Sequence, residues 1–300
     1  MDFDQSIYEN RRKRKDPFVA AHRGVSRANI PCNTMAAFRI AVDQGADVVE
    51  IDITKSKDGQ YFVFHPGMEP VFLDCGKYIP EMTAKEVREI PLKNQDGVPT
   101  GFRVPSLVEV FSFLKDKVYI NVDKFWMDVE GITEQIRKAG VEKQVIVKSG
   151  ADEESFAQVE KYAPDLMYCV MMWHKDSFSE ELLKRRLNYI GAEILFDRES
   201  DEIVSDAYIR WMHEHKLLIW ANSIVYNEKE VIAAGHSDDS SLTQSPDLGW
   251  GWLLKKQVDF IQTDWVWELK GYLQSIPCGC PADSSGNGLP ECGWRSPKER

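Results

Sequence analysis

The sequence predicts an α/β protein built as a (β/α)8 (TIM) barrel, with a small insertion after a β-hairpin that extends strand 2. Three observations carry this. Short apolar, β-branched runs alternate with amphipathic stretches, as parallel strands joined by helical crossovers require. The runs number eight and are near-continuously hydrophobic, the pattern of strands buried on both faces. The 300-residue chain is 43% hydrophobic, enough for one such barrel, which takes about 250 residues.

The strand runs are Phe18 to Ala21, Val48 to Ile53, Val118 to Val122, Gln144 to Val147, Met167 to Met172, Tyr189 to Phe196, Leu217 to Ala221 and Asp259 to Gln262. The helical stretches are Thr34 to Gln44, Asp128 to Ala139, Asp152 to Tyr162, Ser179 to Arg186 and Ser205 to His215. Tyr61 to His65 breaks the alternation, because only Lys55 to Gln60 separates it from the second strand. A parallel crossover needs a dozen or more residues, so this is a hairpin turning at Asp58-Gly59. It returns His65 to the barrel mouth. The segment from Pro66 to about Pro105 is the insertion, with helical patches at Thr83 to Glu89 and Leu107 to Leu114. Residues 1–16 read as a charged, solvated leader, 17–274 as the barrel and 275–300 as an irregular tail. The leader's basic run, Arg11 to Lys15, offers an alternative contact for anionic lipid. Cys278, Cys280 and Cys292 in the tail lack paired metal-ligand spacing, so zinc is not expected there.

The net charge of −11 disfavours nucleic acid as a partner. No apolar run reaches the roughly 18 residues of a membrane span, and the N-terminus has no secretory h-region. Six cysteines are too few for a disulfide scaffold. These features point to a cytoplasmic protein. Oligomeric state is not legible.

Barrel active sites lie at the C-terminal strand ends, and polar residues are plentiful there. Glu50 and Asp52 stand two apart in strand 2, so both carboxylates face one side and Val49, Ile51 and Ile53 the other. Asp123, one strand along, supplies a third acid. An all-oxygen set suits a hard divalent cation, Mg2+ or Ca2+; the alternative is ion pairing with Arg23 or Lys124. His22 and His65 converge on these acids, and two imidazoles supply the base and the acid of a proton relay across a P–O cleavage. His174, His213, His215 and His236 show no such arrangement, and His213 and His215 read as surface. Arg23 and Lys148 are candidate phosphate contacts. Of the aromatics at the strand ends, Trp220 is the candidate substrate wall, alongside Phe125, Trp126, Trp173, Trp265 and Trp267.

This pattern resembles the glycerophosphodiester phosphodiesterase family. The resemblance rests on Ala21-His22-Arg23-Gly24, Asn33-Thr34-Met35-Ala36-Ala37-Phe38, Gly45 to Ile53, Lys57-Asp58-Gly59 and Phe64-His65, then more loosely on Trp220-Ala221-Asn222 and Gln262-Thr263-Asp264. It implies a barrel over roughly Phe18 to Leu273. It also implies a metal held at Glu50, Asp52 and Asp123, acid–base work by His22 and His65, and a phosphate contact at Arg23. The implied reaction converts a glycerophosphodiester to glycerol 3-phosphate and an alcohol, through attack by the glycerol 2-hydroxyl and a cyclic phosphate that water opens. Four positions depart from the family pattern: Pro66 replaces Asp, Cys32 replaces Glu, Asp123 replaces Glu, and Phe125 replaces Lys. The neighbouring Lys124 faces away from Asp123 by strand alternation unless the strand has ended. Two alternatives stand beside this reading: a cyclising phospholipase of the sphingomyelinase D type, and a glycerophosphoryl-binding protein that has lost turnover.

Overall fold

The computed structural model describes residues 1–73, 75–226 and 229–276. Among them, eight parallel strands close into a barrel: β1 (Phe18–Ala21), β2 (Val48–Lys55), β6 (Tyr119–Asp123), β7 (Val145–Gly150), β8 (Met167–Trp173), β9 (Tyr189–Leu195), β10 (Leu218–Asn222) and β11 (Phe260–Thr263). Closure is made by β1, which pairs with β2 on one side and β11 on the other. Three further strands lie outside the ring: β3 (Tyr61–Val63), β4 (Pro91–Lys93) and β5 (Pro99–Arg103). Helices α1 (Ile7–Arg12), α2 (Met35–Asp43), α5 (Leu107–Leu114), α6 (Val129–Ala139), α7 (Glu153–Tyr162), α8 (Ser179–Leu182), α9 (Asp206–Glu214), α10 (Asp238–Thr243), α11 (Trp250–Lys255) and α12 (Val266–Ser275) accompany them, with α3 (Glu69–Phe72) and α4 (Ala84–Glu89) in the insertion.

The alternation read in β2 holds. Val49, Ile51 and Ile53 join the core between strands and helices, while Val48 belongs to the cluster that fills the barrel. Glu50 and Asp52 share that inward parity, higher in the barrel. The filling cluster includes Phe18, Tyr119, Trp220 and Phe260, so the lower barrel is packed and only the C-terminal end is open to chemistry.

The N-terminal segment is not a solvated leader. Its helix α1 sets Ile7 against the barrel-filling cluster, and Asn10 Nδ2 donates to the Tyr119 hydroxyl at 2.7 Å. Part of the basic run is consumed locally: Arg11 pairs with Asp259 and Arg14 with Asp47, each at 2.9 Å. Acids at the lower strand ends thus account for these cations, and the apolar signs of burial in this charged stretch were Phe3, Ile7 and Tyr8, all packed on the same cluster. The tail cysteines Cys278, Cys280 and Cys292 lie outside the described residues.

The hairpin forms as expected, with β3 antiparallel to β2 and Gly59 at φ +84° in the turn. It is tethered sideways: Lys55 Nζ and Tyr61 Oη both reach Asp128 Oδ2, at 2.7 and 2.6 Å. Asp128 is also the N-cap of α6, accepting from Gly131 N. The insertion carries its own small core, which includes Leu73, Ile79, Val87 and Leu92 and is shared with Phe62 of β3. It also holds the β4–β5 hairpin, whose short strands gave no periodicity to read. Leu107 to Leu114 belongs to the main ring, since Leu107, Val110, Phe111 and Leu114 join the principal core. Helix α8 is shorter than the predicted Ser179 to Arg186: beyond Leu182 the chain continues in tighter turns, with Lys184 N–H donating to Glu181 O and Arg185 N–H to Leu182 O.

Candidate active site

The C-terminal end of β1 turns sharply: Arg23 and Gly24 have φ of +58° and +78°. A Cβ on Gly24 would meet the Ala37 backbone carbon at 2.7 Å, so only glycine lets β1 approach α2 this closely. The turn aims Arg23 N at Glu50 Oε2, 2.8 Å, and Arg23 Nε at Asp52 Oδ2, 3.0 Å. Asn33 closes the same corner, donating Nδ2 to Asp52 Oδ2 at 2.8 Å.

Asp52 and Asp123 are register partners on neighbouring strands. One oxygen from each of Glu50, Asp52 and Asp123 lies within 4.8 Å of the others. Glu50 and Asp52 are 3% and 0% exposed. Burial first, and then the Asp52 and Asp123 charges, push the Glu50 carboxyl up to about 8. Asp52 Oδ1 and Asp123 Oδ1 are buried with no hydrogen-bond partner among the described residues. Buried carboxylate oxygens left bare beside one another are costly, and a divalent cation would satisfy them. The residues present fit such an ion.

His22 and His65 both reach this cluster. His22 Nδ1 is 2.9 Å from Asp264 Oδ1, and the ring lines the cavity beside Glu50. Burial disfavours its charge, but the Asp264 hydrogen bond and the Asp264 and Glu50 carboxylates outweigh it, so its pKa is raised. His65 Nδ1 lies 2.9 Å from the Pro66 carbonyl oxygen, and Nε2 lies 3.9 Å from Asp52 Oδ1. A carbonyl only accepts, so Nδ1 carries the hydrogen and Nε2 faces the acids. Burial lowers the His65 pKa, only partly opposed by Asp52. Pro66 therefore supplies a carbonyl that fixes this ring, a contact that needs no side chain at position 66.

Lys124 turns toward Asp123, as expected if the strand has ended. Strand β6 ends at Asp123, and Lys124 takes φ +62°, which swings Nζ to 2.7 Å from Asp123 Oδ2 and 3.9 Å from Asp52 Oδ1. Arg23 is likewise paired with Asp52 and is absent from the residues lining the cavity. Lys148 lines the cavity but is 3% exposed, paired with Glu193 and set 3.7 Å over the Trp220 ring. Trp220 is also absent from the cavity lining. It is 1% exposed and lies beneath the cavity, its Nε1 donating to Gln262 Oε1 at 3.1 Å. It supports Lys148 from below and forms no wall. Phe125 is buried core, while Trp126 and Trp173 stand at the rim.

Several site residues escaped the sequence reading. Glu193 sits mid-strand in an apolar run; its signal was a single acid at an inward position, register partner of Trp220. Asp238 accepts from Ser223, Trp250 and Thr263 side chains and from Asp264 N, which pins the loop that carries Asp264. Tyr226 lines the cavity from the β10–β11 connection. Of the other histidines, His174 is at a second grouping, 2.9 Å from Asp201 and 3.6 Å from Asp197. His213 is not a free surface residue, since Nε2 is 3.0 Å from Asp259 Oδ2. His236 stacks on Trp252 at 3.8 Å. His215 is exposed, as read.

The cavity at the barrel mouth measures about 250 Å3. No described helix is long and apolar enough to cross a membrane. The model of the Glycerophosphoryl diester phosphodiesterase family matches residues 22–193, and that of a domain of unknown function matches 167–273. A glycerophosphodiester phosphodiesterase from Caldanaerobacter subterraneus subsp. tengcongensis is 34% identical over 156 residues, 49% of this chain and 63% of that relative. The chain thus spans less than two thirds of the length of the curated relatives first matched. The fold is similar to a glycerophosphoryl diester phosphodiesterase crystal structure from Parabacteroides distasonis, with a TM-score of 0.75 at 20% identity, covering 93% of this chain and 95% of that one. It is also similar to a phosphodiesterase from Oleispira antarctica in complex with the product sn-glycerol-3-phosphate, with a TM-score of 0.61 at 19% identity, covering 86% and 97%. With more than half its length inside the family model, the chain belongs to the glycerophosphoryl diester phosphodiesterase family.

Proposed function

We propose that the protein hydrolyses glycerophosphodiesters to glycerol 3-phosphate and an alcohol, with a divalent cation bound at Glu50, Asp52 and Asp123. The observation that carries this reading is the convergence of two differently held imidazoles on three carboxylates, two of which keep a buried oxygen with no hydrogen bond among the described residues. The cation, Mg2+ or Ca2+ by its oxygen ligands, supplies charge neutralisation at the phosphoryl oxygens.

The chain's own groups divide the proton work. His65, with Nδ1 held by the Pro66 carbonyl and its pKa lowered, is the base that takes the proton of the attacking glycerol 2-hydroxyl at Nε2. His22, with Nδ1 on Asp264 and its pKa raised, is the acid that protonates the departing alcohol oxygen. The P–O bond to the alcohol breaks as the bond to the 2-oxygen forms. In the second stage the neutral His22 takes a proton from water, and His65 returns one to the glycerol 2-oxygen as the cyclic phosphate opens. Arg23 pairs with Asp52 and Lys124 with Asp123. Lys148 is the cavity cation nearest the floor and the proposed phosphate contact there. A cytoplasmic location belongs to the same proposal. The test is metal-dependent release of glycerol 3-phosphate, with phosphorus NMR to separate an opened product from a retained cyclic phosphate.

A further inference from the structure

The cavity has two unlike halves. Its floor is polar: Asn222 Nδ2 donates to Glu193 Oε1 at 2.5 Å, Gln262 lies alongside, and Asn121 Oδ1 is a buried acceptor with no hydrogen-bond partner among the described residues. One step up the same inward faces the character changes. Register pairs Met171 with Glu193 and Trp173 with Leu195, so β9 goes from Glu193 to Leu195 in two residues. Leu195, Ile224 and Ile232 form their own buried apolar cluster, with Met171 packed against it, and all four line the cavity. Above them Trp126, Trp173 and Tyr226 are 37%, 42% and 51% exposed and line the same cavity.

A phosphodiester has two ester arms, and a glycerol arm needs hydrogen-bond partners that the floor holds. The four aliphatic wall side chains supply no strong hydrogen-bond donor or acceptor. An inositol or a second glycerol placed there would leave hydroxyls without the water they give up. Against these four side chains a primary ammonium would leave N–H donors unmet, while the Glu230 carboxylate that lines the same cavity favours a cationic arm of either kind. A methylated ammonium has no N–H to satisfy, presents carbon to the wall, and is attracted to aromatic faces. Resting on the phosphodiesterase reading above, we propose that the cavity sorts the two arms, the floor taking glycerol and the Met171–Leu195–Ile224–Ile232 wall with its aromatic rim taking an alcohol that ends in a methylated ammonium group.

The test compares glycerophosphocholine, glycerophosphoethanolamine and glycerophosphoinositol on the full chain with Mg2+ or Ca2+. The expected kcat/KM order is choline, then ethanolamine, then inositol, with at least about 10-fold between the first and last. Trp173→Ala, at a half-exposed rim position, and Ile224→Asn, in the wall, should each narrow that ratio. Equal rates, or a preference for inositol, would overturn the assignment while leaving the phosphodiesterase reading intact. If none of the three is cleaved, the phosphodiesterase reading fails instead, and calorimetry with the same intact diesters decides the wall: tighter binding of the choline ester supports it, and equal or no binding removes it.

Discussion

Asp264 Oδ1 lies 2.9 Å from His22 Nδ1. The carboxylate accepts the Nδ1 hydrogen, leaving Nε2 as the nitrogen available to the cavity, and it raises the His22 pKa. Asp264→Asn keeps an acceptor and loses the charge; Asp264→Ala loses both. We expect kcat to fall on the order of 10–100-fold for Ala and less for Asn. The sign of the pH effect follows from the direction of the shift. An acid His22 must be protonated, so activity is lost as pH rises through its pKa. Without Asp264 that loss should begin at lower pH. A pH–rate profile with an unmoved alkaline limb would remove the role assigned to Asp264.

Glu50 gives a prediction for the metal-free protein. Its carboxyl is pushed up to about 8 when folded and titrates near 4.3 in model peptides. Between those values the unfolded chain ionises first, so this group's contribution falls as pH rises from about 4.3 to 8. The melting temperature in EDTA should therefore decline across that window, and Glu50→Gln should flatten the decline. Saturating Mg2+ or Ca2+ should restore stability and release a proton at pH 7, read by calorimetry in buffers of different ionisation enthalpy. Binding without proton release would contradict the raised Glu50 pKa.

Asp128 tests how the hairpin positions His65. It holds Lys55 and Tyr61 of the hairpin and caps α6. Asp128→Ala should cost about 1–2 kcal/mol from the lost cap, measured by urea unfolding. It should also lower kcat several-fold with little change in KM, because His65 loses its lateral brace and the floor is untouched. Tyr61→Phe should show a smaller kcat loss without the capping cost.

Much of this site was legible in the sequence, and the reasons are local. The parity of Glu50 and Asp52 in an apolar strand, and the six-residue gap before Tyr61, are short-range facts that determine facing and hairpin. What was hidden depends on contacts distant in sequence. Ile7 against the barrel floor, Glu193 against Lys148 and Asp238 beneath Asp264 each need the closed barrel to bring them together. Lys124 turned on whether the strand had ended at Asp123, which the sequence left open. Trp220 was misplaced because a strand-end aromatic looks the same from sequence whether it lines a mouth or fills a floor.

Gly24 is where backbone geometry and chemistry meet most tightly. Gly24→Ala adds a Cβ at 2.7 Å from the Ala37 carbon, at φ +78°. Left-handed strain and overpacking together should cost about 2–4 kcal/mol. The melting temperature should fall, and any folded fraction should show reduced kcat because His22 and Arg23 lie in the same turn. A stable, fully active Gly24→Ala would contradict the close approach of β1 to α2.

The most direct measurement is glycerol 3-phosphate release from glycerophosphodiesters by the purified chain in EDTA, Mg2+ or Ca2+, beside His22→Ala and His65→Ala. The account predicts release that requires the ion and is lost in both variants while their folding and ion binding persist. Release that survives either histidine substitution, or that proceeds equally in EDTA, would contradict it.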